Sequence, residues 1–206
     1  MNTIERFKNF RLLALLFAAL TIITSCSDDD DVPEEEEELE VITDVTLVFT
    51  NAADATDVVR ASAQDPDGIG VQELVVQDEI SLSASTTYTL TMEIFNNLET
   101  PGEDIGEEIL DEDNEHQFFF SFSADAFASP TGDGNIDTAS DPLGYNDEDE
   151  NGNPVGLSTS WTTPAETLMS GSFTARLQHQ PDIKTATTGA DDGDSDFDLT
   201  FVLNIQ

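Results

Sequence analysis

Thiols and cations are scarce in this chain. A single cysteine, Cys26, stands among 206 residues, so no intramolecular disulfide can form and the fold must be held by its core or by metal. Lys and Arg together number 6 against 44 Asp and Glu, for a net charge of −38. Such a surface repels nucleic acid and anionic lipid head groups, which excludes nucleic acid as a partner, and it attracts cations. Only two histidines are available to titrate near neutral pH. There is no Gly-x-Ser-x-Gly elbow, no phosphate-cradling glycine loop and no thiol beyond Cys26. Carboxylates for a glycosidase pair abound, but that abundance makes any one pair uninformative. A protein that is not an enzyme is expected.

What is present begins at the N-terminus. Arg6, Lys8 and Arg11 precede an almost wholly apolar run, Leu12 to Ile23. As a helix this run spans about 18 Å, short of the ~30 Å hydrocarbon core. A basic start, a short apolar stretch and small residues before a cut site describe a secretion signal over 1–25. Ile23-Thr24-Ser25-Cys26 resembles the lipobox of bacterial lipoproteins, which implies that Cys26 is lipidated and opens the mature chain. The other reading is an ordinary signal peptide with an incidental cysteine. Ser27 and Asp28 to Asp31 resemble the surface-export signal that follows the lipidated cysteine in Bacteroidota-type outer-membrane lipoproteins. That likeness implies a lipid-anchored, cell-surface location on the outer membrane.

Residues 26–40 read as an acidic tether, because like charges repel and cannot pack. Removing residues 1–25 takes away Glu5, Arg6, Lys8 and Arg11, which leaves 43 acids against 3 bases. Self-repulsion at that charge opposes compaction unless ions screen it. Even so, 13 Phe and strongly patterned segments argue for one packed domain over 41–206.

Period-two patterning dominates that domain. Phe197, Leu199, Phe201, Leu203 and Ile205 alternate with Asp198, Thr200, Val202, Asn204 and Gln206, a strand with one buried face. Similar alternation predicts strands at 41–50, 86–95, 116–124, 155–162 and 171–180, with weaker ones at 57–63 and 72–84. Turn-rich loops separate them. The pattern predicts an all-β, antiparallel sandwich of immunoglobulin-like architecture. Ile105, Ile109 and Leu110 form a narrow apolar stripe after Pro101-Gly102, predicting one short acidic helix over roughly 103–112.

The run from Asn96 to Phe120, with its Glu115-His116-Gln117 step into a Phe-rich strand, resembles a group of acidic Bacteroidota-type outer-membrane lipoproteins. Tyr145-Asn146-Asp147, Gly152-Asn153-Pro154-Val155-Gly156-Leu157 and Arg176-Leu177-Gln178-His179-Gln180-Pro181 extend the likeness over most of the mature chain. The group has no assigned activity, and some members carry the label "type 1 periplasmic binding fold". That fold needs strands alternating with helices of 10–15 residues, a pattern this chain lacks.

Two metal chemistries stand out. Asp147, Asp149 and Asn151 place oxygen ligands at alternate positions before Gly152, like the first half of a calcium loop. The twelfth position is Ser158 rather than Glu, and no helices flank the loop, so an EF-hand is excluded. A calcium-binding hairpin loop and a plain acidic turn both remain open. Asp192/Asp194/Asp196 and Asp133/Asn135/Asp137 offer weaker versions of the spacing. His116 opens one predicted strand and His179 closes another, each in phase with an apolar face. Two imidazoles at one rim, with Glu115 or Glu112 close by, suit zinc or copper. Alternatively, each imidazole caps the core and bonds backbone. These features lead to the expectation of a binding or accessory module beside an outer-membrane transporter, presenting a cation or metal chelate. A structural or adhesive surface module with calcium-stiffened loops is the second expectation.

Overall fold

The C-terminal alternation becomes one of the two longest strands of a two-sheet sandwich. The computed structural model describes residues 40–65, 67 and 73–206. The leader, Cys26 and the tether up to residue 39 lie outside the described residues. Strands β1 (Asp44–Asn51), β2 (Val58–Gln64), β3 (Val75–Val76), β4 (Ile80–Leu82) and β5 (Thr87–Asn96) come first. After them run β6 (Glu103–Asp104), helix α1 (Ile105–Asp111), β7 (His116–Phe122), β8 (Ser158–Thr162), β9 (Leu168–His179) and β10 (Asp194–Ile205). One sheet is ordered β3-β2-β1-β5, with β8 and β6 both pairing β5, and the other β4-β10-β9-β7. All pairings are antiparallel except β10 with β4, which run parallel. The all-β sandwich is therefore the observed architecture, with this one parallel edge as an addition to the expected pattern.

The inner faces supply the core. Val45, Leu47 and Phe49 of β1 and Leu90 of β5 face Phe118, Phe120, Phe173, Leu199 and Phe201 across the sandwich, all buried. At the centre Trp161 meets Phe127 at 4.8 Å, Phe173 at 5.0 Å and Phe120 at 5.4 Å between ring centroids. Its indole N–H donates to Thr159 Oγ1 at 2.7 Å, so the ring is buried without an orphaned donor. Each such aromatic contributes about 1.5–3 kcal/mol through apolar burial.

Three local differences from the sequence pattern have physical reasons. Glu103 and Asp104 pair with Asn96 and Phe95 as a short ladder, so α1 starts at Ile105 rather than 103. Ile105 and Ile109 are buried but Leu110 is 56% exposed, because a seven-residue helix has room for only one apolar row against β5. Finally, β7 is buried on both faces where one polar face was expected. The loop after β9 folds over its outer side, held by Arg176 Nη1 donating to Ala190 O at 3.1 Å and Gln178 Nε2 to Asp192 O at 3.2 Å.

Candidate metal centre

One end of the sandwich gathers the starts of β1, β7 and β10, the end of β9 and the last turn of α1. Register places His116 directly opposite His179 on paired strands. Both imidazoles continue inward-facing rows, Phe118/Phe120 and Leu177/Ala175, so they end the core instead of pointing to solvent. They lie flat on each other, with centroids 4.6 Å apart and planes inclined by 6°. In stacked rings the in-plane nitrogen lone pairs run parallel rather than converging. His179 is thus a neighbour of any ion at His116, not a co-ligand in this arrangement. Its Nε2 lies 3.6 Å from Glu115 Oε2.

His116 is fully buried. Its Nδ1 lies 3.3 Å from the Glu112 carbonyl, whereas Nε2 has no partner among the described residues. A buried, unpaired polar atom of this kind costs about 1–3 kcal/mol and needs an explanation. Burial first, then the charges of His179 and Lys184, lower the His116 pKa to about 4. The ring is therefore neutral near pH 7, the form in which imidazole binds metal.

Carboxylates surround it. Glu40, Glu112 and His116 present ligand atoms all within 4.8 Å of one another. A metal with bonds of 2.0–2.2 Å holds tetrahedral ligands about 3.4 Å apart, so binding draws the three together by an ångström or so. Burial, followed by the Glu108 and Asp196 charges, raises the Glu40 carboxyl to about 7. Glu108 is also raised, chiefly by burial and by Glu103, and a proton shared by these two carboxyls rests on Glu40.

Asp196 adds a further acid. It is the extra residue at a register shift between Ser195 and Phe197, a bulge of the kind that re-aims a side chain. Burial raises its pKa to about 6, against the opposing effect of His179. Neither of its oxygens meets ordinary hydrogen-bond geometry, although the backbone N–H groups of Glu40 and of Asp196 itself oppose the rise that burial causes. Gly193, at φ +81°, lets β10 begin tight against the His179 carbonyl, where a Cβ would collide.

The acidic loop predicted for calcium is built differently. Asp147 Oδ1 and Oδ2 accept the Gly156 and Ser158 N–H groups at 2.8 and 2.9 Å. Asp149 accepts the Asn151 and Asn153 N–H groups at 2.9 and 2.8 Å and Asn153 Nδ2 at 3.0 Å. It also meets Lys184 Nζ at 3.4 Å, both side chains being fully enclosed. Burial alone would raise Asp149, but these donors together with Lys184 leave its pKa lowered. Lys184 is itself lowered, by burial above all, and its ammonium also donates to the carbonyls of Asp113 at 2.5 Å and His116 at 2.8 Å. A lysine ammonium thus occupies the cationic position in this loop. Asn151 itself is exposed.

Of the weaker acidic spacings, Asp133 and Asp137 converge with Asp141 instead of Asn135. Asn135 is buried, accepting the Phe120 N–H and donating to the Tyr145 hydroxyl, both at 2.9 Å. Asp192 is engaged in its own loop, accepting the Gly189 N–H at 2.8 Å.

Comparison with protein-family models, with curated proteins and with solved structures returns no match for this chain. Among the described residues no helix is long and apolar enough to cross a membrane.

Sequence reasoning named Glu112, Glu115, His116 and His179 together but missed Glu40 and Lys184. Glu40 is one of a run of acids with no local mark to distinguish it. Lys184 did carry a signal, as one of only three bases after residue 25 in a chain where every buried carboxylate needs a partner.

Proposed function

We propose that this chain is a lipid-anchored envelope module that takes up a first-row divalent metal ion, of the zinc or copper class, at the His116 end of its sandwich. The observation that carries this reading is the fully buried His116 ring, whose Nε2 has no partner and one of whose nitrogens converges to within 4.8 Å with ligand atoms of Glu40 and Glu112. The charge balance adds support. Past residue 25 the chain has three cationic side chains besides its histidines, and each already has a carboxylate partner, although Lys184 also donates to the His116 carbonyl. Arg60 pairs with Glu93, Arg176 with Asp198 at 2.6 Å, and Lys184 with Asp149. The acids around His116 are left to protons or to a cation from outside. A neutral imidazole beside carboxylates suits a borderline ion better than calcium, which prefers oxygen alone.

Anchoring through Cys26 would hold this site at the outer membrane. There a loaded module can hand its ion, free or chelated, to a neighbouring transporter. Isothermal titration calorimetry of the full chain with zinc, copper and calcium tests the reading. One tight transition-metal site that is lost in His116→Gln supports it, and the absence of such binding refutes it. A second reading, a surface module stiffened by calcium, has in its favour the oxygen-only group Asp133, Asp137 and Asp141. A melting-temperature rise with calcium alone, removed by Asp137→Asn, would favour that reading.

A further inference from the structure

We infer that the outer edge of β10, ahead of its pairing with β4, is a docking edge for an extended segment of a partner protein in which basic and apolar residues alternate. The inference stands apart from the metal reading and uses none of its ligands. Strand β9 pairs with β10 along almost its whole length, whereas β4 covers the other side only from Leu203 to Ile205. Gln206 shows which groups face that side. Its N–H donates to Leu82 O at 3.0 Å and its carbonyl accepts the Ala84 N–H at 2.9 Å.

Successive residues of a strand turn their backbone groups to alternate sides, so Thr200 and Asp198 turn theirs the same way as Gln206. The two register shifts leave this count intact, because Asp196 precedes Asp198 and the other extra residues lie on β9. Thr200 Oγ1 lies 2.9 Å from Thr174 Oγ1, the close approach of a pair that does not exchange backbone bonds. Both Asp198 and Thr200 are exposed, and no described residue pairs with their four outward N–H and C=O groups. Such an edge is a template for another strand.

The margin of the core beside it is also incompletely covered. Val76 of β3 pairs with Ala63 and shares its inner face, and β3 borders β10. Yet Val76 is only half-buried where Ala63 is fully buried. A strand added to β10 closes that margin with apolar side chains on its inner face. Its outer face meets acids, since Asp194, Asp198 and Glu79 are all exposed, and Glu79 is held at the β4 end by Asn204 Nδ2 at 3.0 Å. Arg176 already pairs with Asp198 and Asp191. A second copy of this chain, with its net charge of −38, brings like charge to the edge, whereas basic side chains at alternate positions complement it.

Fluorescence anisotropy on the full chain, with a labelled octapeptide of alternating lysine and valine in about 0.15 M salt, tests this. The control is the same peptide N-methylated at alternate amides, which keeps its charge but cannot pair as a strand. The native chain is expected to bind the unmodified peptide at least tenfold more tightly. Thr200→Pro removes an outward N–H without breaking the β9 ladder, and it abolishes that preference while the melting temperature shows β10 still in place. Hydrogen exchange on the native chain gives a reading that needs no variant: the peptide slows exchange of the Asp198 and Thr200 amides by about tenfold or more. Equal binding of the two peptides, a preference unchanged in Thr200→Pro, or no protection of those amides would overturn the inference. A peptide-free dimer that protects the same amides would assign the edge to a second copy and overturn it as well.

Discussion

Two acidic regions lie close together here and handle charge in opposite ways. In the loop around Asp149, the Asp147 and Asp149 carboxylates are satisfied by four N–H groups, a side-chain amide and the Lys184 ammonium. Around His116 an imidazole nitrogen has no partner and neither Asp196 oxygen has a hydrogen bond of ordinary geometry, although the Glu40 amide acts on Asp196 and Glu40 shares a proton with Glu108. The first region has the sequence spacing of a calcium loop and the structure of a closed polar core. The second has no motif and holds a buried imidazole nitrogen without a partner. In a chain with 44 acidic residues, counting carboxylates says little about binding; asking which of them lack a partner says much more.

Lys184→Met breaks that comparison most severely. It leaves the Asp149 carboxylate buried without its counter-charge, a loss of about 3–5 kcal/mol in the free energy of unfolding measured by urea titration. A loss below about 1 kcal/mol would mean that Asp149 is not held as described. His116→Gln should act on the other region only, lowering zinc affinity by about 100-fold, equivalent to roughly 2.7 kcal/mol, with calorimetry as the readout.

Asp147→Asn sharpens the contrast. It weakens the acceptor for the Gly156 and Ser158 amides and costs about 1–2 kcal/mol of stability, while zinc affinity stays at the native value. A fall in zinc affinity in this variant would merge the two regions into one.

The smallest effect is that of pH on the metal-free protein. Glu40, raised from 4.5 to about 7, and Asp196, raised from 3.8 to about 6, hold protons in the folded state that the unfolded chain releases. Their contribution is present at low pH and is lost as pH rises through those windows. His116, lowered from 6.5 to about 4, works against them, its contribution being lost as pH falls from 6.5 towards 4. Glu40→Gln therefore raises metal-free stability at pH 8 by on the order of 1 kcal/mol, since solvent screens a partly exposed carboxyl, and leaves stability at pH 4 unchanged. A thermal-melt series across pH reads this directly.

Much of the fold could be read in advance because period-two alternation reports burial one strand at a time. The rows Phe197 to Ile205 and His116 to Phe122 each announce a strand and its inner face without reference to any other. Which strands are neighbours is not a local property. The phase of His116 and His179 put both at strand ends, but only the β7–β9 register turned them into a stacked pair. Asp196 was named only for its spacing from Asp192 and Asp194, and its place beside Glu40 was hidden for a different reason. A bulge breaks the alternation at that residue, so a pattern that assigns it to the outer face with Asp198 misplaces it. The Asp147–Asn151 spacing was legible as an ordered loop. Its dependence on Lys184, 35 positions beyond Asp149, was not, because nothing in the loop indicates where its counter-charge comes from.

The most direct test is an anomalous-scattering map from crystals of the full chain soaked in zinc. A single strong peak within about 2.0–2.2 Å of a His116 ring nitrogen and of Glu40 and Glu112 oxygens is the predicted result. A peak at Asp147 and Asp149 with Lys184 displaced, or no peak at the His116 end, would contradict it.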